Sequence, residues 1–507
     1  MFDLWQGFAW LKKQFTRRDV LLMFFLIVLY FATRLINLDK FPIFTDEGIY
    51  IRWAKVAWHD ATWRFISLTD GRQPLQTWAT IPFLKLFPNN PLFAGRLFSV
   101  ASGFAALVGI FVLLYYLFGK QAAMYGAFFY IFTPYFLFYD RLALVDGAVN
   151  TGFIWIFFLL LLLAQNLSLT TALILGLVSG LSLLAKSSVR LFLGMGVFGP
   201  VIFFKNKLAP FVKGSINYYF LLAISTLTAL IIYNVQRLSP FFHFVSEKNY
   251  TFILRFSEWL QSPFQVFWPN LTSLPIYVFW EAAFVLPILG LLGLIFIFKK
   301  DYRLFIYFLL WLILPFLAIA FFGRVVFPRY LNFFASLFLI LTTYFLIKLK
   351  DKRIAWLLVF LYILSVAYFD YTILFNQVNI PFPPIDKGQY IEGVSSGYGV
   401  KEIIDFARQQ SLQKPVILLA EGNFGVVGDM LDASLKQIDR ITIRGYWPLD
   451  KNSLLTNQKD LNNNYIYVVF SHRTEFPSDW PMTFVAKFSK PGGKSAFYLF
   501  ELSKPQI

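Results

Sequence analysis

Long apolar runs alternate with short charged breaks along the first three quarters of the chain. Runs at 20–36, 91–118, 122–139, 148–164 and 169–185 are followed by one ending at Phe204. Others lie at 215–235, 276–298, 304–322, 326–347 and 354–374. A bilayer needs ~20 apolar residues to be crossed as helix, so the pattern predicts about eleven spans within residues 1–375. Two stretches break the series, 37–90 and 236–275. Both are polar and aromatic and are predicted as long loops. After residue 375 the pattern changes. Residues 399–406 have helical periodicity, 415–420 and 465–470 read as buried strands, and 484–488 and 496–501 flank Pro491-Gly492-Gly493 as a hairpin. Residues 376–507 are therefore expected to form one small α/β domain.

Within the first loop, Phe44-Thr45-Asp46-Glu47-Gly48-Ile49-Tyr50 sets two adjacent carboxylates just past the first span. Tyr50, Trp53, Ala54, Ala57 and Trp58 then recur at helical spacing on one face, which Asp46 shares. Such a helix is expected flat on the membrane surface, aromatic side down, with an acid at its leading end. The same residues also suit a structural role, with Thr45 or Asp46 as cap and Glu47 complementing the helix dipole.

Composition agrees with a polytopic α-helical membrane protein. The 507 residues are 58% hydrophobic and 14% charged, with a mean hydropathy of +0.61; a soluble domain carries ~25% charge. There is no cysteine, which excludes disulfides, thiolate nucleophiles and cysteine-ligated zinc. The histidines are His59, His243 and His472 alone, too few for a histidine-rich metal cluster. No metal-ligand set is assigned, and a divalent ion stays open as a cofactor. The net charge of +17 is explained without nucleic acid. With the N-terminus cytoplasmic, fifteen Lys/Arg fall in the inner segments, among them Lys12, Lys13, Lys205, Lys207 and Lys213. Both long loops and the C-terminal domain are then extracytoplasmic, in a multi-pass protein of the cell membrane.

On that topology ionisable residues gather at the outer face: Asp46, Glu47, Asp140, Arg141, Asp146, Lys186, Arg190, Arg324 and Arg329. Any one of them suits interfacial anchoring. Together they put positive charge where the topological bias opposes it, and an anionic ligand at the outer leaflet, a lipid phosphate, gives a cause. The chemistry that fits is sugar transfer from a lipid phosphate. A carboxylate takes the acceptor hydroxyl's proton, and cations stabilise the leaving phosphate. Asp46 is the expected base, and Lys186, Arg190, Arg324 and Arg329 are the phosphate candidates.

These motifs resemble the C-type, polyprenyl-phosphate-dependent glycosyltransferases, in the branch of protein O-mannosyltransferases and the lipid A aminoarabinose transferase. Asp46-Glu47-Gly48-Ile49-Tyr50 resembles the acidic motif of that family's first external loop, whose aspartate is the proposed base. Arg141 through Asp146 resembles its second motif, an Arg and Asp at the start of span four. Leu184-Ala185-Lys186 is similar to its Leu-Thr-Lys segment, with Ser187-Ser188 in place of Gly-Pro. Phe327-Pro328-Arg329-Tyr330-Leu331 looks like its late Pro-Arg-Tyr segment. The resemblance covers about residues 20–350. It implies juxtamembrane helices in the first loop and a lipid-facing donor cavity. It also implies a catalytic set of Asp46, Glu47 and Asp146, with Arg141, Lys186, Arg190, Arg324, Arg329 and Tyr330 at the lipid phosphate. The histidine-containing metal site of the aminoarabinose transferases has no match in this sequence. The expected partners are a polyprenyl-phosphate sugar, a protein, lipid or glycan acceptor, and membrane lipid. Two other readings stand beside this one: a lipid-linked glycan flippase, which would need charge near the bilayer midplane, and an O-antigen-type ligase using a diphosphate-linked donor.

Overall fold

The apolar runs fold as helices because a backbone in lipid must satisfy its hydrogen bonds within its own segment. The computed structural model describes residues 14–200, 208–422 and 427–504. Lys12, Lys13, Lys205, Lys207 and the end of the run at Phe204 lie outside the described residues. The N-terminal part runs α1 (Arg17–Leu35), α2 (Thr45–His59), α3 (Leu75–Leu86), α4 (Pro91–Phe118), α5 (Lys120–Phe132), α6 (Pro134–Tyr139), α7 (Val145–Asn166), α8 (Leu169–Leu183), α9 (Val189–Gly194) and α10 (Leu208–Tyr233). It continues with α11 (Phe244–Phe252), α12 (Phe256–Gln261), α13 (Phe267–Glu281), α14 (Val285–Lys300), α15 (Tyr302–Phe322), α16 (Asn332–Lys348) and α17 (Lys352–Phe375).

Each of the predicted runs carries helix. Six helices among the described residues are long and apolar enough to cross a membrane, or up to seven if α13 and α14 count as one bent span. The run at 122–139 is split at Thr133-Pro134, where proline lacks the amide that would continue the ladder. The run at 276–298 is bent by 108° between α13 and α14. Ala283 and Phe284 make that corner with φ of +56° and +55°, a conformation L-residues rarely adopt. The predicted loops are not irregular: 37–90 holds α2 and α3, and 236–275 holds α11, α12 and the start of α13.

Burial sorts the spans. The Val145–Asn166 and Pro328–Lys348 spans are 78% and 89% enclosed by protein, whereas Lys352–Phe375 is 39% enclosed and faces outward. The two enclosed spans are the ones that bring Asp146 and Arg329 to their leading ends.

Past α17 come α18 (Pro384–Lys387), α19 (Val400–Ser411), β1 (Val416–Glu421), α20 (Val427–Ser434), β2 (Ile441–Tyr446), α21 (Lys451–Asn457), β3 (Tyr465–Phe470), β4 (Met482–Ser489) and β5 (Ala496–Leu502). The sheet order is β2-β1-β3-β5-β4. β1 pairs parallel with β2 and β3, Leu418 facing Ile443 and Tyr467, and β5 joins antiparallel between β3 and β4. β1 is buried at all six positions, as its continuous apolar sequence demands of a central strand. The hairpin expected around Gly492 is present. The edge strand β2 is an element the sequence pattern did not yield.

The aromatic helix does not lie on lipid. Tyr50, Trp53, Ala54 and Ala57 are buried, with α3 and α4 on one side, while the opposite face packs on α20. A Cβ at Gly48 would come within 2.9 Å of the Met430 amide. Glycine there is what lets α2 sit between the spans and the C-terminal unit.

Candidate functional site

α2 begins at Thr45, so Asp46 occupies its first turn, where the positive end of the helix dipole favours a carboxylate. The cap itself belongs to Glu47, whose Oε2 accepts the Phe44 amide at 3.0 Å. Glu47 is fully enclosed. It accepts two bonds from Arg96, at 2.8 and 2.7 Å, and the Ala143 amide at 2.7 Å. Arg96 in turn donates to the carbonyls of Leu38 and Phe41. Glu47 therefore has no capacity left for a substrate. It clamps the start of α2 to α4 and to the turn before α7, and so fixes where Asp46 stands.

Asp46 meets two arginines. Its Oδ1 lies 3.0 Å from Arg72 and its Oδ2 3.2 Å from Arg329. Burial raises the Asp46 pKa, but Arg72 and Arg329 outweigh it and hold the carboxyl below its ordinary value. Burial also works against the charge of Arg72. Asp46, Tyr50 and Asp70 beside it prevail and raise its pKa further. The Asp46 side chain keeps 19% exposure, so a hydroxyl can still approach it.

The pairs continue in both directions. Arg72 Nε is 2.8 Å from Asp70, and Lys248 Nζ is 2.7 Å from the other Asp70 oxygen. Arg329 Nε is 3.7 Å from Asp146, and Lys186 Nζ is 3.0 Å from the other Asp146 oxygen. The result is one alternating chain, Lys248–Asp70–Arg72–Asp46–Arg329–Asp146–Lys186. Four cations against three carboxylates leave a net charge of +1.

Local sequence explains each placement. Gly71 has φ of +67°, and a Cβ there would come within 2.3 Å of the Phe244 carbonyl and 2.6 Å of Lys248 Cβ. Only glycine allows α11 to approach and deliver Lys248 to Asp70. Asp146 sits in the first turn of α7. Lys186 lies in the turn after α8, its ammonium 3.5 Å over the Tyr330 ring. Arg329 lies in the Pro328–Leu331 turn that leads into α16. Beyond Asp46 it donates to Gln389 Oε1 at 2.7 Å and to Tyr390 OH at 3.2 Å. Gln73 Nε2 and Asn249 Nδ2 both donate to Ser187 Oγ, closing the wall beside Lys186.

Of the residues singled out in the sequence, Asp46, Asp146, Lys186, Arg329 and Tyr330 come together. The others do not. Arg141 donates to the carbonyls of Thr33, Arg34 and Asn37 and caps the end of α1. Asp140 is buried against Arg34, Tyr30 and Tyr130. Arg190 is exposed and lies over the Tyr233 ring at 4.8 Å. Arg324 pairs with Glu258 at 2.9 Å, both 41% exposed. Asp70, Arg72 and Lys248 were missed. Asp70-Gly71-Arg72 carried a signal, a glycine between opposite charges, but Lys248 carried none. Among the described residues no three His, Asp or Glu side chains converge as a metal site.

No protein-family profile matches the sequence, and no curated protein sequence does either. Solved structures do match. ArnT from Cupriavidus metallidurans bound to undecaprenyl phosphate aligns with a TM-score of 0.61 at 16% identity, over 96% of this chain and 99% of that one. Its apo state aligns at 0.59 and 15% over the same shares. The archaeal oligosaccharyltransferase AglB from Archaeoglobus fulgidus, in complex with an inhibitory peptide and a dolichol-phosphate, aligns at 0.52 and 12%, over 89% of this chain and 69% of that one. At these identities the likeness is one of fold. The chain is a multi-pass membrane protein with the C-type glycosyltransferase fold and a small C-terminal sheet unit.

Proposed function

We propose that this chain is an integral-membrane glycosyltransferase that moves a sugar from a polyprenyl-phosphate donor to a hydroxyl acceptor on the outer side of the membrane. The observation that carries the reading is the alternating ion-pair chain with its single surplus positive charge. A polyprenyl-phosphate sugar is a phosphodiester of charge −1, and one such group neutralises the site. A diphosphate-linked donor would bring a second negative charge against three carboxylates already present. The charges of this chain lie at the ends of spans or in the segments between spans and not at mid-span, which favours an enzyme over a flippase. ArnT and AglB, which share the fold, are bound to undecaprenyl phosphate and dolichol-phosphate in their structures.

In the proposed reaction the acceptor oxygen attacks the anomeric carbon as its proton passes to Asp46. The bond from that carbon to the phosphate oxygen breaks, and its electron pair leaves on the phosphate. A single displacement inverts the carbon. Lys186, Arg329 and Arg72 meet the growing charge of the leaving phosphate. These are also the cations that reach Asp46 and Asp146. A phosphate that draws Arg72 and Arg329 toward itself releases Asp46 from the charges that depress its pKa, and the largely enclosed carboxylate becomes a stronger base. The donor thus arms its own base. Inner placement of the N-terminus and outer placement of the C-terminal unit rest on the distribution of Lys and Arg.

The test is a donor screen with the purified chain and radiolabelled polyprenyl-linked sugars. The proposal expects release of polyprenyl phosphate and label transfer from monophosphate-linked donors. Turnover of diphosphate-linked donors alone would overturn it in favour of the ligase reading.

A further inference from the structure

The C-terminal sheet carries polar chemistry that the ion-pair chain does not use. β1, β2 and β3 run parallel in the order β2-β1-β3. The chain leaves β1 to one side to form β2, then returns across it to form β3. The connections therefore reverse between β1 and β3. In open α/β sheets a crevice opens at the carboxyl ends of the strands at such a reversal, and ligands bind there.

Glu421, the last residue of β1, lies at that point with its side chain 2% exposed. It accepts the amides of Ser471 at 2.9 Å and His472 at 2.8 Å, and Arg473 Nε at 3.1 Å. These bonds fold the residues after β3 over the end of β1. Arg473 is held at Nε and over the rings of Phe470 and Trp480, at 5.2 and 5.1 Å. Its two terminal nitrogens have no protein partner among the described residues. His472 uses Nδ1 on Ser471 Oγ at 3.1 Å, which leaves Nε2 for a ligand. Trp447, from the end of β2, stands edge-on to His472 with ring centroids 5.7 Å apart. It is 64% exposed, so its indole face is open to a ligand.

We propose that Trp447, His472 and Arg473 form a carbohydrate-binding subsite that holds a glycan acceptor. An indole face takes the C–H face of a pyranose, and a fixed planar guanidinium and an imidazole nitrogen supply hydrogen bonds to its hydroxyls. Glu421 compensates the charge of Arg473, so the edge suits neutral hydroxyls better than an anion. Its position fits an acceptor. α20, the next described helix after β1, packs on α2 at Gly48, with Arg52 paired to Asp429 at 2.6 Å. The sheet unit that carries the subsite is thus packed against the helix that carries Asp46. The acceptor role rests on the transferase reading; sugar binding itself does not.

Saturation-transfer NMR on the full-length chain in detergent tests it, with free mannose, galactose and N-acetylglucosamine as probes. The wild type and Asp46→Asn should both saturate the ring protons of at least one of these sugars. Trp447→Ala, at a position 64% exposed, should weaken that sugar's binding by about tenfold, and Arg473→Gln should do the same. No saturation by the wild type, or undiminished saturation by a folded Trp447→Ala, overturns the subsite. Saturation by a wild type that transfers sugar from no donor of the screen upholds the sugar site and overturns only the acceptor role.

Discussion

Replacing Arg72 by glutamine should move the acid limb of the pH–rate profile upward. Asp46 is held below its ordinary pKa of 3.8 because Arg72 and Arg329 outweigh the burial that raises it. For a carboxylate whose folded pKa is depressed, ionisation is complete above the unfolded value and is lost as pH falls through the folded one. The wild-type limb should therefore lie below 3.8. A contacting arginine lowers a carboxylate by ~1–3 units. Arg72 is 3.0 Å from Asp46, but both side chains keep nearly a fifth of their exposure and Arg329 remains after the substitution. Water screens part of the interaction, so the expected rise is smaller than loss of a fully enclosed arginine would give, but its direction is upward. Burial no longer faces two opposing charges and adds to the rise. The assay is kcat/KM for sugar transfer, read at subsaturating donor in nanodiscs from about pH 3.5 to 8, which reports the donor-free enzyme in which Arg72 still pairs with Asp46. A limb that enters that window in Arg72→Gln supports the reasoning. A limb that stays or moves down refutes it, because Asp46 would then not be the titrating group.

Three further outcomes follow from the same geometry. Glu47→Ala should destabilise the chain by ~3–5 kcal/mol, since it leaves Arg96 charged, enclosed and unpaired; a thermal-unfolding midpoint equal to wild type would contradict the clamp. Lys186→Ala should weaken donor binding by ~1.5–3 kcal/mol, whereas Arg190→Ala and Arg324→Ala, which lie outside the ion-pair chain, should leave it unchanged; equal losses in all three would contradict that division. The chain has no cysteine, so single cysteines report topology without background. One at Ile438, 75% exposed on the C-terminal unit, should react with an impermeant maleimide in intact cells, and one at Lys350 should not; the reverse labelling would invert the orientation.

The spans were legible because lipid permits few alternatives to a long apolar helix. The break at Pro134 was written in the sequence by a residue without an amide hydrogen. The bend at Ala283 and Phe284 was not, since neither residue is a breaker and the corner is set by packing. The aromatic face of α2 was readable from its period, but a period does not say whether lipid or protein covers it. Its second partner, α20, lies some 380 residues later. Asp46 was found because it stands next to a helix start, and Asp146, Lys186 and Arg329 because charges at span ends are conspicuous. Glu47 looked equally conspicuous, and only its enclosed bonds to Arg96 reveal a clamp. Lys248 could not be found, because its link to Asp70 exists only once Gly71 lets two loops meet. β2 left a readable trace in the alternation of Ile441, Ile443 and the polar residues between, weakened by its exposed edge position.

The most direct measurement is sugar transfer by Asp46→Asn, made alongside donor binding on the same preparation. The α2 cap is made by Glu47, so asparagine at position 46 removes a proton acceptor and leaves the helix start intact. The account predicts a folded protein that binds the polyprenyl-phosphate sugar and loses ~10²–10⁴-fold in turnover, the scale of general-base catalysis. Near-normal transfer by folded Asp46→Asn would contradict it and leave Asp146 as the carboxylate to test.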